Sequence, residues 1–451
     1  MRHSQNVHLT ADNSWHKNTY VINQTHVGKL YGLEDRCTWA WFRVKCIKGI
    51  SGFSPSRHPA DIMQLGIKIF AAAIALTTLV SAHEGVVINV DRRGGSEPIN
   101  DIRKLKGVFQ AILHKYESGI RSYKRRTGKD HIWHTPKMSK RADVTSINMK
   151  DISDETQWIG EVCLGKPSTC VLAHFDTGSA DFIIVKDPYD PAKSNTSVDT
   201  KKTFSQGYAD GSKAEGGIFI DSFSVGEIHA KNLSIGVSKK NFLQSFEKNK
   251  AIAGLSFSSI KSFDDEHLTL MEAFKQQNKL KKNLFQFTLK SGKGSSLNFG
   301  DIDSSKFCGE LTWVDVNPIW GFYIVGGRIN GQKAITAIDS GTTFIMGSRR
   351  QLKKLIEKTP GVSYLESDGM GYGVFDCNIT PNVTISYGGT DFKLSREHVA
   401  RGTAGKKCLL SIVGMDSGLP LETWIMGDPF FQTTSIVFDH DHKRLGFAPQ
   451  K

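Results

Sequence analysis

Asp176 and Asp339 each sit in the same short device: residues 172–182 read LAHFDTGSADF and residues 335–345 read ITAIDSGTTFI. In both, an apolar run leads into an Asp, a hydroxyl residue, a Gly and a second hydroxyl residue. The Gly lets the backbone turn tightly and approach closely. Such a turn at a strand end pushes a carboxylate into a cleft, while a neighbouring hydroxyl donates to its outer oxygen. Two such carboxylates face to face cannot both ionise, so one proton is shared and their apparent pKa values separate. One group then serves as base and the other as acid. That pairing polarises a water and protonates a carbonyl oxygen together, as amide hydrolysis without a metal or covalent intermediate requires.

A single Asp-[Thr/Ser]-Gly-[Ser/Thr] arises by chance in about a few per cent of chains this long. Two, each behind an apolar run, call for internal symmetry. A second correspondence supports it: Ile252-Ala253-Gly254 and Ile425-Met426-Gly427 follow the two Asp motifs at 78 and 88 residues, counted to the Gly. The flanking sequence predicts mostly β structure, because GIFIDSFSVGEIHA, NLSIGVS, LFQFTLK, NVTISYGG and SIVFDHDHKRLGFA are short alternating or apolar runs between Gly, Asn and Asp turns. Helical spacing in this part is confined to LTLMEAFKQQNKL and to QLKKLIEK after Ser348, an expected N-cap. Many short strands with few helices predict barrels or sandwiches.

The chain has 451 residues and a formal charge of +13, which raises nucleic-acid binding as a function class. Residues 142–451 hold 35 Lys+Arg and 35 Asp+Glu, so the whole excess lies before position 142 and that class is excluded for the rest. The stretch MQLGIKIFAAAIALTTLVSA over 63–82 has the form of a secretory signal peptide, with small residues at its end and too few apolar residues to span a bilayer comfortably. Residues 1–62 precede it without periodicity and are read as an extension added by an over-long gene model, Met63 being the expected start. The basic segment 83–141 closes on Lys140-Arg141, a dibasic processing site, and is read as a propeptide. Residues 142–317 and 318–451 are expected to form two lobes.

From about Ile147 onward the sequence resembles the pepsin-like aspartic endopeptidases, closest in style to secreted fungal ones. The resemblance rests on FDTGSAD, the flap-like YADGS, AIAGLSF, NFGDIDSSKF, AIDSGTTF, WIMGDPFF and VFDHDHKRLGFAP. It implies an all-β, bilobal acid-protease fold with the cleft between two barrel-like lobes. It also implies that Asp176 and Asp339 are the catalytic pair holding the attacking water. Ser179 and Thr342 would orient the outer carboxylate oxygens, and Gly178 and Gly341 would present backbone groups to substrate with Thr343 beside them. Tyr208 would ride on a mobile hairpin flap, and Asp210 would help hold the substrate main chain. The implied partners are extended peptides or proteins bound by main-chain hydrogen bonds, and the chain's own propeptide as an intramolecular inhibitor. No cofactor, metal, nucleic acid or stable membrane insertion is expected, and the protein is expected to be a monomer.

This chain departs from the family where a Trp usually follows the first Asp motif: it has Phe182-Ile183-Ile184, so Tyr208 lacks the usual ring-nitrogen partner. Cys377 and Cys408 occupy positions that resemble a second-lobe disulfide of fungal members. Cys163 and Cys170 flank Gly165-Lys166-Pro167-Ser168 and pair only if they face each other across a hairpin. That arithmetic leaves Cys308 over. Asn195, Asn232, Asn378 and Asn382 are glycosylation sequons, which suits a secreted product. Asp416-Ser417-Gly418 reads as a surface turn, since Leu419 replaces the last hydroxyl. Asp439-His440-Asp441-His442 reads as a solvated turn, and His131-Ile132-Trp133-His134 lacks the flanking Cys or acidic ligands of a metal site. The rival to a secreted acid endopeptidase is a weak or inactive protein of the same fold, acting as an inhibitor or binding module. The missing flap partner favours that rival, and the two intact Asp motifs oppose it.

Overall fold

A computed structural model describes residues 86–89, 91–92, 102–133, 158–207, 213–239, 250–290, 294–416 and 423–451. Their strands form three sheets, of eight, ten and six strands. The eight-stranded sheet holds the first Asp motif and the ten-stranded sheet the second. The six-stranded sheet joins the halves: Leu284–Thr288 and Ser296–Phe299 from before residue 317 lie beside Thr434–Asp439 and Arg444–Pro449 from after it. Phe285, Phe287, Phe438 and Phe447 are fully buried along these strands. The expected all-β, two-lobed architecture is the one observed.

The two halves repeat one connection. In the first, β1 (Thr169–Asp176), β2 (Phe182–Val185) and β3 (Ala251–Gly254) are arranged so that β3 lies parallel to β1 and antiparallel to β2. In the second, β4 (Gln332–Ile338), β5 (Ile345–Gly347) and β6 (Thr423–Met426) repeat the pattern, with β6 parallel to β4 and antiparallel to β5. The apolar-apolar-Gly segments noted in the sequence are therefore the strands that clamp each Asp strand: Leu255 N donates to Asp176 O (2.9 Å), and Asp339 N donates to Met426 O (3.0 Å). Their closing glycines are needed for contact. A Cβ on Gly254 would stand 2.5 Å from the Ala180 carbonyl carbon, and one on Gly427 would stand 2.0 Å from Thr342 O.

Residues of the expected propeptide are built into the same body. Val86–Asn89 pairs with Ser296–Phe299 at the edge of the six-stranded sheet, and Asp91–Arg92 pairs with Ile159 and Trp158. The basic run that the sequence reading left without secondary structure forms a 26-residue helix, α1 (Ile102–Thr127). Ile112, Tyr116 and Tyr123 are buried at helical spacing, and Gly119 makes room for the tip of the Phe322 ring, since a Cβ there would meet Cζ at 2.6 Å. The far end of α1 is held by Arg125 Nη2 on Ser262 O and Arg126 Nε on Lys261 O, each 3.1 Å. Thr127 back-bonds to Tyr123 O, and Gly128 in a left-handed conformation ends the helix.

The two expected helices are present as Leu270–Gln276 and Arg349–Glu357. Each starts in a capping box, Thr269 with Glu272 and Ser348 with Gln351. Cys163 and Cys170 do face each other in antiparallel register and form a disulfide, as do Cys377 and Cys408. Cys308, left over in the sequence arithmetic, is disulfide-bonded as well. All four sequon asparagines are exposed. No helix among the described residues is long and apolar enough to cross a membrane. Replacing Gly427 with Ala forces the Thr342 turn away from β6, so we expect a loss of about 1–3 kcal/mol of stability, seen as a lower thermal midpoint. A variant as stable as the parent would contradict the close approach.

Candidate active site

Asp176 ends β1 and Asp339 directly follows β4, and both are buried, to 3% and 0% exposure. Each carboxylate is held by its own motif in the same way. Gly178 N donates to Asp176 Oδ1 and Gly341 N to Asp339 Oδ1, both at 2.9 Å. Ser179 Oγ donates to Asp176 Oδ2 at 2.6 Å, and Thr342 Oγ1 to Asp339 Oδ2 at 2.5 Å. The hydroxyl that binds the carboxylate is thus the one three residues on. The N–H groups of Gly178 and Gly341 are occupied by these carboxylates. Thr343 is buried beside Thr342.

Both glycines owe their place to the opposite lobe and not to a left-handed turn. A Cβ on Gly178 would lie 2.6 Å from Asp339 Oδ1, and one on Gly341 would lie 2.2 Å from Asp176 Oδ1. Each motif therefore packs its bare backbone against the other's carboxylate, which keeps the two acids face to face.

The remaining hydroxyls, one residue after each Asp, cross between the lobes. Thr177 Oγ1 donates to Ile338 O (3.0 Å) and accepts from Ser340 N (2.9 Å), while Ser340 Oγ donates to Phe175 O (2.8 Å) and accepts from Thr177 N (3.0 Å). Sequence reasoning gave these residues no separate role. Their signal was present: a hydroxyl at the same place in both copies, which a purely local role would not require. His174, on the same face of β1 as Asp176, is buried with Nε2 3.4 Å from Ser340 O, and burial lowers its pKa.

The sequence reading expected a proton and a water between the acids. In this structure an ammonium lies there. Lys115 Nζ of α1 sits 3.0 Å from Asp176 Oδ1, 3.0 Å from Asp339 Oδ1 and 2.8 Å from Asp339 Oδ2, and Tyr116 donates to Asp339 Oδ2 at 2.9 Å. The cation reverses the like-charge logic. Burial alone would raise the pKa of Asp176, but Lys115, with help from His174, Ser179 and Gly178 N, holds it well below the usual carboxylate range. Burial would lower the pKa of Lys115, and the two carboxylates raise it instead. The Tyr116 phenol is pushed up by burial and then by Asp339.

The stem of the flap hairpin, Val198–Gly207 with Lys213–Val225, is described up to the Gly207/Lys213 pair; Tyr208 and Asp210 lie outside the described residues. Ile183, where a Trp was expected, is 3% exposed in an apolar cluster with Phe204 and Ile218 of that stem and with Phe263. Apolar packing thus fastens the base of the hairpin in this chain.

Residues 157–450 match the family model described as eukaryotic aspartyl protease. This chain belongs to that family. It is an aspartic endopeptidase of the pepsin-like, fungal type, a hydrolase acting on peptides. Among its relatives is secreted aspartyl protease 1 of Malassezia globosa, 36% identical over 86% of this chain and 99% of that protein. Penicillopepsin-1 of Penicillium rubens is 30% identical over 85% of this chain and 98% of its own length. A probable inactive secreted aspartyl protease of M. globosa is 28% identical over 86% and 100% respectively.

The inter-lobe pairing in this aspartic protease gives a direct expectation. Thr177→Val leaves Ser340 N buried without its acceptor and frees the Ile338 carbonyl, costing about 1–3 kcal/mol. Chemical denaturation should report that loss, with the fall in peptide hydrolysis exceeding the fall in folded protein. Unchanged stability and turnover would refute the role of this cross-tie.

Proposed function

We propose that the protein is a secreted acid endopeptidase made as a zymogen, in which Asp176 and Asp339 are the catalytic pair and the segment 83–141 is the inhibitory propeptide. The observation that carries this reading is the Lys115 ammonium within 3.0 Å of both carboxylates. It takes the place between the acids where a hydrolytic water would be held, and α1 covers the approach. Residues 63–82 are the secretory signal. Cleavage follows Lys140-Arg141, which lies outside the described residues. The mature lobes, 142–317 and 318–451, act as a monomer, with Asn195, Asn232, Asn378 and Asn382 open to glycans.

Removal of α1 takes away the ammonium that lies between the two acids. The pair then shares a proton: Ser179 and Thr342 hold the outer oxygens, one carboxylate draws a proton from the water, and the other gives one to the substrate carbonyl. Substrate lies extended under the hairpin carrying Tyr208 and Asp210. The inactive-module reading loses support because each carboxylate keeps a hydroxyl donor and a backbone N–H donor from its own motif.

Acid also favours release. A group whose pKa is depressed in the docked state stabilises docking above its ordinary pKa, and that stabilisation disappears as pH falls through the docked value. Asp176 is such a group. The full chain incubated at pH 3–5 should shorten to a product starting near Ala142 and digest a denatured protein. Asp176→Asn should lower that hydrolysis by about 10³-fold or more. Full activity in Asp176→Asn would end the proposal. Lys115→Met leaves two buried acids uncompensated, worth about 3–5 kcal/mol, so its α1 should detach and its conversion should begin at higher pH than in the parent. An unshifted onset would contradict the inhibitory role of Lys115.

A further inference from the structure

Beyond α1 the chain makes a second contact with the protease body, and its chemistry differs from that at Lys115. His131 is 2% exposed. Its ring is met by Tyr123, Trp133, Trp320 and Phe322 at centroid distances of 5.0, 5.2, 5.8 and 5.6 Å, all steeply inclined. Both ring nitrogens are engaged. Nε2 lies 2.7 Å from Trp320 O, a carbonyl that only accepts, so Nε2 carries a hydrogen and donates. Nδ1 accepts from Trp133 N at 3.2 Å. The site therefore fixes the neutral, Nε2-protonated imidazole. A proton added to Nδ1 would confront the Trp133 N–H donor to donor, inside an aromatic box that leaves the ring almost wholly buried.

What surrounds the ring sharpens this. On α1 the facing titratable group is the Tyr123 phenol. The neighbouring Asp130 pairs with Lys124 at 2.8 Å, both of them more than half exposed. The turn contributes Trp133, and the protease body contributes the Trp320 carbonyl and the Phe322 ring. Burial is the larger influence on His131, pulling its pKa below the ordinary 6.5, with the Trp320 carbonyl opposing. The box has weight in the docking of the whole segment, because Trp133 stacks on Phe322 (5.3 Å, 21°), and Phe322 also packs against Tyr116, next to Lys115.

We propose that His131 is an acid-sensitive latch: its protonation breaks the aromatic box and frees the 123–133 end of the segment from Trp320–Phe322 while the Lys115 bridge to the aspartates is still intact. The inference rests on the zymogen reading and adds the order of events. A histidine whose pKa is lowered on docking leaves docking undiminished above its free value. Below that value, docking weakens up to about tenfold per pH unit until the docked ring itself titrates. Asp176, held far lower, contributes its own loss only in stronger acid. The latch opens first and the ammonium leaves second.

The test uses the full chain and backbone hydrogen–deuterium exchange of residues 123–133, corrected for intrinsic rates, between pH 7 and 4. His131→Gln offers one acceptor and one donor and does not titrate. In the parent, protection of this segment should fall steadily below pH 6.5, approaching tenfold per unit, while in His131→Gln it should stay flat to at least one unit lower. Exchange in the strand Thr434–Asp439 reports whether the variant is folded; a variant that fails this control is replaced by His131→Asn, to which the same expectation applies. Parallel loss of protection in parent and folded variant would overturn the latch. A parent that opens as described yet cleaves nothing at any pH would instead sink the protease reading and leave the latch standing.

Discussion

Two carboxylates taken almost wholly out of water within reach of one ammonium define this molecule. Burying either acid alone carries a large desolvation cost, and burying two together adds repulsion. The fold meets the cost with fixed donors: two backbone N–H groups and two hydroxyls, one of each per acid. It meets the repulsion with Lys115. Much of the remaining architecture serves to place these few atoms, since neither acid could be brought to the other without the paired β1–β3 and β4–β6 arrangements and the Thr177–Ser340 cross-tie.

The cross-tie and the bare glycines explain why the repeated motif has its four-residue form. In each copy the Asp supplies the acid, the next hydroxyl grips the other lobe, the Gly makes room for the other acid, and the last hydroxyl binds its own acid. The functions alternate between the two halves, so neither motif is complete without its partner. A chain carrying one copy would have an ordinary ionised Asp at a strand end.

Much of this was legible in the residues. The repetition of the Asp motif and of the two-apolar-plus-Gly segment gave the pseudo-symmetric strands, Ser348 marked a helix start, and the cysteine spacings proved compatible with two bridges. Lys115 was not legible, because one lysine in a run of basic residues carries no mark of its partner 61 and 224 residues away. The helix around it was concealed by charge: Ile112, Tyr116, Gly119 and Tyr123 have helical spacing, but Lys115 shares their buried face while composition places it with solvent. His131 was weighed in the sequence as a metal ligand alone. Its place among aromatic rings depends on Trp320 and Phe322, which only the tertiary fold brings near.

The central claim is that the protein as synthesised holds an ammonium, and not a water, between Asp176 and Asp339. A crystal structure of the intact chain at neutral pH tests it most directly. The account predicts Lys115 Nζ in hydrogen-bonding contact with both carboxylates and Tyr116 on Asp339. Density showing a water bridging the two acids, with Lys115 turned out to solvent, would contradict it.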